Sequence, residues 1–347
     1  MNEKNSIVTI AIASYNNKLY IERCVDSVLN QSYHFLEILI IDDGSTDGTL
    51  SYIDHYKSDE RVLIIPKENG GLSSVRQLGL NLAKGEYICF IDADDYLSTE
   101  HVERMLKKMQ MDNSDICLSS TRFEDSNGKL IEIVKTEESS NPICITTSAL
   151  ANSFSNFSSK YYLSDSWNKM YRVGFLRSTN VEFCMPRGLN GTDTLFNRIL
   201  VLYQPIYSTI KEVCYIHVIY EKSAAHRKNK NLQESFSLIT RHLVKNAEKL
   251  GIKSDLELAI ITYYYSSLFV VFRDVYKENR GDDALIQKFN ELFDSHKSNI
   301  IRCNLENADI KGIKSLTLKI FIILLKKHRS LLPIYISIYN KLLLLVR

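Results

Sequence analysis

One feature limits this chain's fold more than any other: between residues 7 and 109, short β-branched runs alternate with stretches of helical spacing. Residues 7–13 (IVTIAIA), 36–41 (LEILII), 62–65 (VLII) and 87–91 (YICFI) read as strands. Residues 19–30, 49–56, 72–83 and 99–109 carry helical patterns, and in the first of these Ile21, Cys24, Val25, Val28 and Leu29 share one side. Strands that are apolar along their whole length need cover on both faces. A βαβαβαβ order supplies that cover. The expected class is α/β, a Rossmann-like, mostly parallel sheet covered by helices.

The rest of the chain is more varied. Residues 116–120 read as a strand, and 122–135 as a hairpin around Asn127-Gly128, a favoured two-residue turn. Residues 146–158 look helical, 167–176 and 193–202 contain further helical segments, with a Gly-rich stretch at 188–191 between them, and 207–219 returns to strand composition. From 229 onward the pattern is helical, over about 232–250, 255–278 and 282–298, then in two basic apolar helices after 312. This divides the chain into 1–228, expected to be catalytic, and a helical C-terminal region, 229–347.

Seven cysteines without a C-x-x-C pair fit reduced thiols in a cytosolic protein. The N-terminus MNEKNSIVTIAIASYNN is not a signal peptide. No apolar run reaches the roughly 20 residues that span a bilayer. The formal net charge of +2 names no partner, and no nucleic acid is expected. The charge is unevenly spread, however. After Asp309 there is no acidic residue, whereas Lys311, Lys314, Lys319, Lys326, Lys327, Arg329, Lys341 and Arg347 are basic. Such basic apolar helices suit an anionic membrane surface, or a hairpin packed on the first domain.

Open α/β sheets bind ligands at the C-terminal ends of their strands. There this chain has Ser14-Tyr15-Asn16-Asn17, then Asp42-Asp43-Gly44-Ser45, then Asn69-Gly70-Gly71, then Asp92-Ala93-Asp94-Asp95. Asp92-Ala93-Asp94 is a D-x-D. In an extended segment residues two apart point the same way, and two carboxylates make an oxygen site for Mg²⁺ or Mn²⁺. The plainer alternative is acidic residues opening a helix. Asp42 could accept a hydrogen bond from a nucleobase N–H, or simply shape a turn. Gly70 would let backbone approach a ligand. Arg76 could hold a nucleotide, or form an ordinary ion pair. A G-x-G-x-x-G after the first strand and a G-x-x-x-x-G-K-[ST] anywhere are both missing, which argues against dinucleotide oxidoreductases and P-loop enzymes. A nucleotidyltransferase would want a Gly-rich basic loop after the first strand, which is also missing.

VTIAIASYN, EILIIDDGSTDGT, ENGGLSSVRQLGL and GEYICFIDADDYL, in that order, resemble the N-terminal half of a family two inverting glycosyltransferase of the kind that builds bacterial surface polysaccharides. The resemblance covers about residues 6–225 and implies the GT-A fold and a nucleotide-sugar donor, with UDP the expected nucleotide. It implies that Ser14, Tyr15 and Asn16 line the nucleotide and that Asp42, with Asp43, meets the base. Asn69, Gly70 and Arg76 would lie near the base or diphosphate, and Asp92, with Ala93, at the ribose. Asp94 would hold a divalent cation on the donor diphosphate, with His226 as a second ligand. The acceptor's proton would go to Asp193, in Gly191-Thr192-Asp193-Thr194-Leu195. Family members have Glu before this Asp, whereas this chain has Thr192; the alternative for Asp193 is a helix cap. Trp167, Asn168 and Lys169 resemble an acceptor segment, although a lone Trp is commonly core. The acceptor would be a saccharide or lipid-linked saccharide, and the location the inner face of the cell membrane. The rival reading is a catalytically degenerate, membrane-peripheral binding protein of the same fold.

Overall fold

The first strand, β1 (Val8–Ser14), sits near the middle of the sheet, and its alternation explains how the sheet is covered. Val8, Ile10 and Ile12 turn to one face, against Ile21, Cys24, Val25 and Val28 of α1 (Ile21–Leu29). Ala11 turns to the other face, where α3 (Leu72–Leu82) crosses. A Cβ on Gly79 of α3 would come 2.9 Å from the Ala11 Cβ, so only glycine lets this helix lie so close. Leu39, Ile41 and Val75 form a separate apolar cluster. Each fully buried Ile or Val contributes about 1.5–3 kcal/mol, and these doubly covered strands hold many of them.

The structure, a computed structural model, describes residues 6–138, 140–144, 164–220, 231–279, 285–302, 313 and 315–345. These residues form two compact units, one comprising the described residues before 145 together with 164–220, the other those from 231 onward. The helix expected at 146–158 and the division expected at residue 228 lie outside the described residues.

In the first unit β2 (Leu36–Asp42), β3 (Val62–Pro66) and β4 (Tyr87–Asp92) join β1. β5 (Tyr96–Leu97), β6 (Ile116–Asp125), β7 (Leu130–Val134), β8 (Ile143–Cys144), β9 (Lys169–Arg172) and β10 (Ile206–Ile219) complete the ten strands described. The order is β3-β2-β1-β4-β9-β6-β10-β5, with β7 on β6 and β8 on β10. The long strands β1, β2, β3, β4, β6 and β10 run parallel, and the short strands β5, β7, β8 and β9 run against them. The remaining helices of this unit are α2 (Thr49–Ile53), α4 (His101–Asp112), α5 (Val173–Thr179) and α6 (Thr192–Leu200).

The helical segment expected within 167–176 begins at Val173, and the residues before it, Lys169–Arg172, form a strand that was not expected. Met170 lies opposite Cys89 of β4 on one side and Cys117 of β6 on the other. Between two parallel strands, a short antiparallel insert pairs backbone groups that would otherwise be buried without partners.

The second unit is helical: α7 (Leu232–Lys249), α8 (Lys253–Glu278), α9 (Leu285–Arg302), α10 (Leu316–Lys327) and α11 (Leu332–Leu345). Phe272 of α8 meets Phe289 and Phe293 of α9 and Phe321 of α10, with ring centres 5.0, 5.1 and 5.7 Å away. Within α8, Leu256–Glu278 is long and apolar enough to cross a membrane, which the sequence reading did not anticipate. Two thirds of its most apolar window (67%) is buried, as expected of a core helix.

Candidate active site

Register brings the polar loops together. Ser14 ending β1 is paired with Asp42 ending β2, Ala13 with Asp92 ending β4, and Asp42 with Pro66 ending β3. Parallel pairing thus places all four loops on one sheet edge.

The β1 and β2 loops lock each other. Asp42 is fully buried and accepts from the Ser45 N–H at 2.9 Å and from the Ser45 hydroxyl. The Asn16 N–H donates to Ser45 Oγ at 2.8 Å, and Asn16 Oδ1 accepts from the Thr46 N–H at 2.8 Å. Asn16 holds a left-handed φ of 55°, which Asn tolerates better than most residues. Tyr15 is 48% exposed at this edge, whereas Ser14 is buried with its hydroxyl unpaired among the described residues.

Asp43 holds the β3 loop. Its carboxylate accepts from the Gly70 N–H at 2.9 Å, from the Gly71 N–H at 2.7 Å and from Lys67 Nζ at 2.6 Å. A Cβ on Gly70 would come 2.5 Å from Ser74 Oγ, so a larger residue here would have to displace the Ser74 hydroxyl. The Asn69 carbonyl accepts from Arg187 at 3.3 Å.

Arg76 projects from α3 with its side chain only 1% exposed. One arm of its guanidinium donates to Asp92 Oδ1 at 2.8 Å. Another arm pairs with Asp193 Oδ1, in the first turn of α6. One planar fork therefore ties the end of β4 to the residue proposed by sequence as the base. The Ser166 N–H donates to the other Asp193 oxygen at 3.1 Å. Thr192, standing where the family has Glu, makes a hydroxyl contact with Ser73 of α3 at 3.1 Å.

The D-x-D segment is not extended. The chain turns after Asp92, with the Asp95 N–H donating to the Asp92 carbonyl at 3.0 Å. The turn gives the three carboxylates separate surroundings. Asp95 is fully buried and accepts from Tyr215 Oη at 2.6 Å and from the Val218 N–H at 2.9 Å, with His217 Nδ1 at 2.9 Å. Burial alone would lower the His217 pKa. The hydrogen bond to Asp95, with the charges of Asp95, Asp92 and Asp94, reverses this and raises it to about 9. Asp94 is pushed up to about 7 by burial and by the neighbouring charges of Asp95 and Asp92, opposed by its own backbone N–H and by His217. Burial raises Asp95 as well, but Tyr215, His217 and the Val218 N–H all meet its oxygens; around the Asp94 carboxylate, burial and like charge outweigh what opposes them, which leaves it short of positive charge.

That shortage fits a divalent cation, whose charge would return Asp94 to its ionised form. Among the described residues no three His, Cys, Asp or Glu side chains converge on one point. A cation at Asp94 would therefore need oxygens from a donor phosphate or from water. His226 lies outside the described residues.

Trp167, Asn168 and Lys169 are mostly enclosed, Trp167 being 8% exposed and the other two less so. Trp167 stacks on His217 at 5.2 Å and leans on Tyr215 at 4.8 Å, so it braces the residues that hold Asp95. Lys169 donates to the Asp165 carbonyl and to Asn168 Oδ1 at 3.1 Å. Burial lowers its pKa to about 7, although the Asp165 charge works the other way. Ala93 is buried, and its N–H donates to the Ala13 carbonyl at 3.0 Å, tying the D-x-D to β1.

Sequence reasoning missed Tyr215, Ser166, Arg23 and Asp165. Arg23 donates to the Asp94 carbonyl and to Tyr220 Oη, both at 2.9 Å. Tyr215-x-His217 did carry a signal: in a strand the two side chains face the same way.

Residues 9–184 match the family described as Glycosyl transferase family 2. The chain is 30% identical over 241 residues to a putative glycosyltransferase, EpsH, of Bacillus subtilis (strain 168), covering 66% of this chain and 65% of that one. It is 29% identical over 325 residues to a chondroitin synthase of Pasteurella multocida (strain Pm70), covering 85% and 31%. With a Pasteurella multocida hyaluronan synthase the identity is 35% over 209 residues, covering 56% and 21%. The chain thus matches from a fifth to two thirds of the length of these curated relatives. Its fold matches that of S. aureus TarS residues 1–349 in complex with UDP at a TM-score of 0.70 and 19% identity, covering 96% of this chain and 91% of that one. A complex of the same TarS segment with UDP-GlcNAc matches at 0.57 and 19%, covering 86% and 89%.

Proposed function

This chain belongs to glycosyl transferase family 2, and we propose that it moves a sugar, with inversion, from a UDP-sugar to a saccharide or lipid-linked saccharide during surface polysaccharide synthesis. The observation that carries this reading is the Arg76 fork, which joins Asp92 on the D-x-D edge to Asp193 on α6. A donor-side carboxylate and a candidate base then stand one side chain apart, as a single displacement requires. The names of the relatives and the UDP complex of TarS support the donor class and the pathway type.

The residues take distinct parts. Asn69, Gly70, Asp42 and the Ser14-Tyr15-Asn16 loop receive the nucleoside, with Asp43 as the anchor of the Gly70 turn. Asp92 faces the ribose beside Ala93, and Asp94 is the ligand for a divalent cation. Mn²⁺ or Mg²⁺, when bound there, supplies positive charge to the departing diphosphate. Asp193 takes the proton from the acceptor hydroxyl as that oxygen attacks the anomeric carbon. A carboxylate offers about four lone-pair sites, so the bonds from Arg76 and Ser166 leave room for an acceptor O–H. Arg76 and the Ser166 N–H hold Asp193 in place. The enclosed Trp167-Asn168-Lys169 segment serves the acceptor side by holding the walls around Asp95 and Asp193.

A second reading keeps the donor site and removes the chemistry. It is favoured by one observation: Asp193 is already ion-paired to Arg76 and lacks the preceding Glu. Calorimetry of UDP, GDP and dTDP with and without Mn²⁺, on wild type and Asp94→Asn, tests the donor site. Metal-dependent binding of UDP alone, lost in the variant, is the expected result. No binding of any nucleotide under any metal condition would sink both readings. Binding without sugar release to water or to saccharide acceptors would favour the second.

A further inference from the structure

The last two described helices each have a used face and an unused one. On α10, Leu318, Phe321, Ile322 and Leu325 are buried, and Phe321 packs 5.1 Å from Phe269 of α8. On the opposite side Leu316, Ile320 and Ile323 repeat at helical spacing and are 36–71% exposed. Lys319 and Lys326 border this stripe on one side, and Lys327 continues it; all three are exposed. On α11, Leu332 and Ile336 are buried, and Tyr335 Oη donates to the Thr317 carbonyl of α10 at 2.8 Å. Leu331, just before α11, and Ile334 and Ile338 within it, are 47–58% exposed. An outward helix face in water is ordinarily polar, so two neighbouring apolar stripes call for an occupant.

We propose that α10 and α11 lie in the surface of an anionic lipid bilayer. The apolar stripes enter the boundary of the acyl chains, and Lys319, Lys326 and Lys327 meet lipid phosphates. Charge chooses this occupant: no acidic residue follows Asp309, so nothing on this stretch repels an anionic surface. A second copy of the chain fits less well. A two-fold contact sets a patch against itself, and these lysines would meet lysines with no carboxylate of the stretch to receive them. Spanning is not required either. The 12 residues of α10 measure about 18 Å, against a hydrocarbon core of about 30 Å. The proposal stands apart from the sugar-transfer reading, since none of its residues belongs to the candidate active site.

The test is flotation of the whole chain with two kinds of vesicle, phosphatidylcholine alone and phosphatidylcholine with phosphatidylglycerol. The protein is expected to float with the anionic vesicles and to be released by salt. Combining Lys319→Gln, Lys326→Gln and Lys327→Gln should lower that partitioning by about a hundredfold, at roughly 1 kcal/mol per lysine. Combining Ile320→Asp, Ile323→Asp and Ile338→Asp should abolish it, while circular dichroism and the melting temperature stay as in wild type. Equal partitioning onto neutral vesicles, or none onto either kind with the fold intact, would overturn the proposal. A wild-type dimer in light scattering that the aspartate variant dissolves would assign the stripes to a second copy instead.

Discussion

Two loops on the same sheet edge are rich in aspartate, and they use it differently. Asp42 and Asp43, after β2, are met by N–H groups, a hydroxyl and one lysine, each within its own loop or the next. Asp92, Asp94 and Asp95, after β4, are met by groups from distant elements: Arg76 of α3, Tyr215, His217 and Val218 of β10. Even so, Asp94 is left with its pKa raised to about 7. The first loop is finished as built, whereas the second is organised around charge that the chain does not fully supply. Identical residue types thus differ in charge balance by what surrounds them, and under the proposed function this divides them into holding and reacting roles.

The sharpest way to break this contrast is at the far end of the Arg76 fork. Asp193→Asn should lower kcat about 10²–10⁴-fold, the usual range for a lost general base, with nucleotide affinity measured by calorimetry unchanged. An unchanged kcat would leave Asp193 a structural partner of Arg76 and Ser166 only, since Gly191 and not Asp193 is the N-cap of α6. Next comes Asp95→Asn, which removes the partner of a charged His217 in a mostly buried site. Losing one member of such a pair costs about 3 kcal/mol, and urea denaturation should show it. A neutral result would mean that His217 finds water instead. Asp43→Ala should have a smaller effect, about 1–3 kcal/mol for stranding the N–H groups of Gly70 and Gly71. Here KM for the donor should rise more than kcat falls; a fall confined to kcat would move Asp43 into the reacting class.

A separate effect is one of pH. Because the folded pKa of Asp94 is raised, the unfolded chain releases this proton near the ordinary carboxylate value and the folded chain only near 7. Stability is therefore lost as pH rises from about 4 to about 7, and the loss levels off above that. In chelator, melting temperatures of wild type and Asp94→Asn should diverge across this window, the variant being favoured at the higher pH. Parallel curves would mean that Asp94 has a positive partner already.

The edge itself was legible in the sequence, because apolar strands flanked by helices leave parallel pairing as the natural solution, and parallel pairing gathers the loops. The separation of roles within the edge was not. Asp43 and Asp92 look alike until the N–H groups of one and the guanidinium of the other are placed, and Arg76 reaches Asp193 only across the fold. The strand Lys169–Arg172 was missed because four residues carry no period that tells strand from helix. Its identity comes from the gap between β4 and β6 that it fills. The apolar character of α10 and α11 was legible, but which side stays uncovered depends on α8.

Arg76 has one guanidinium and two clients. Whatever draws it toward Asp92 loosens its hold on Asp193, and an acceptor hydroxyl that competes for Asp193 frees it for Asp92. By linkage the two effects are equal in free energy. Donor and acceptor would then sense each other through a single side chain, each changing the other's affinity by the same factor, without moving a domain.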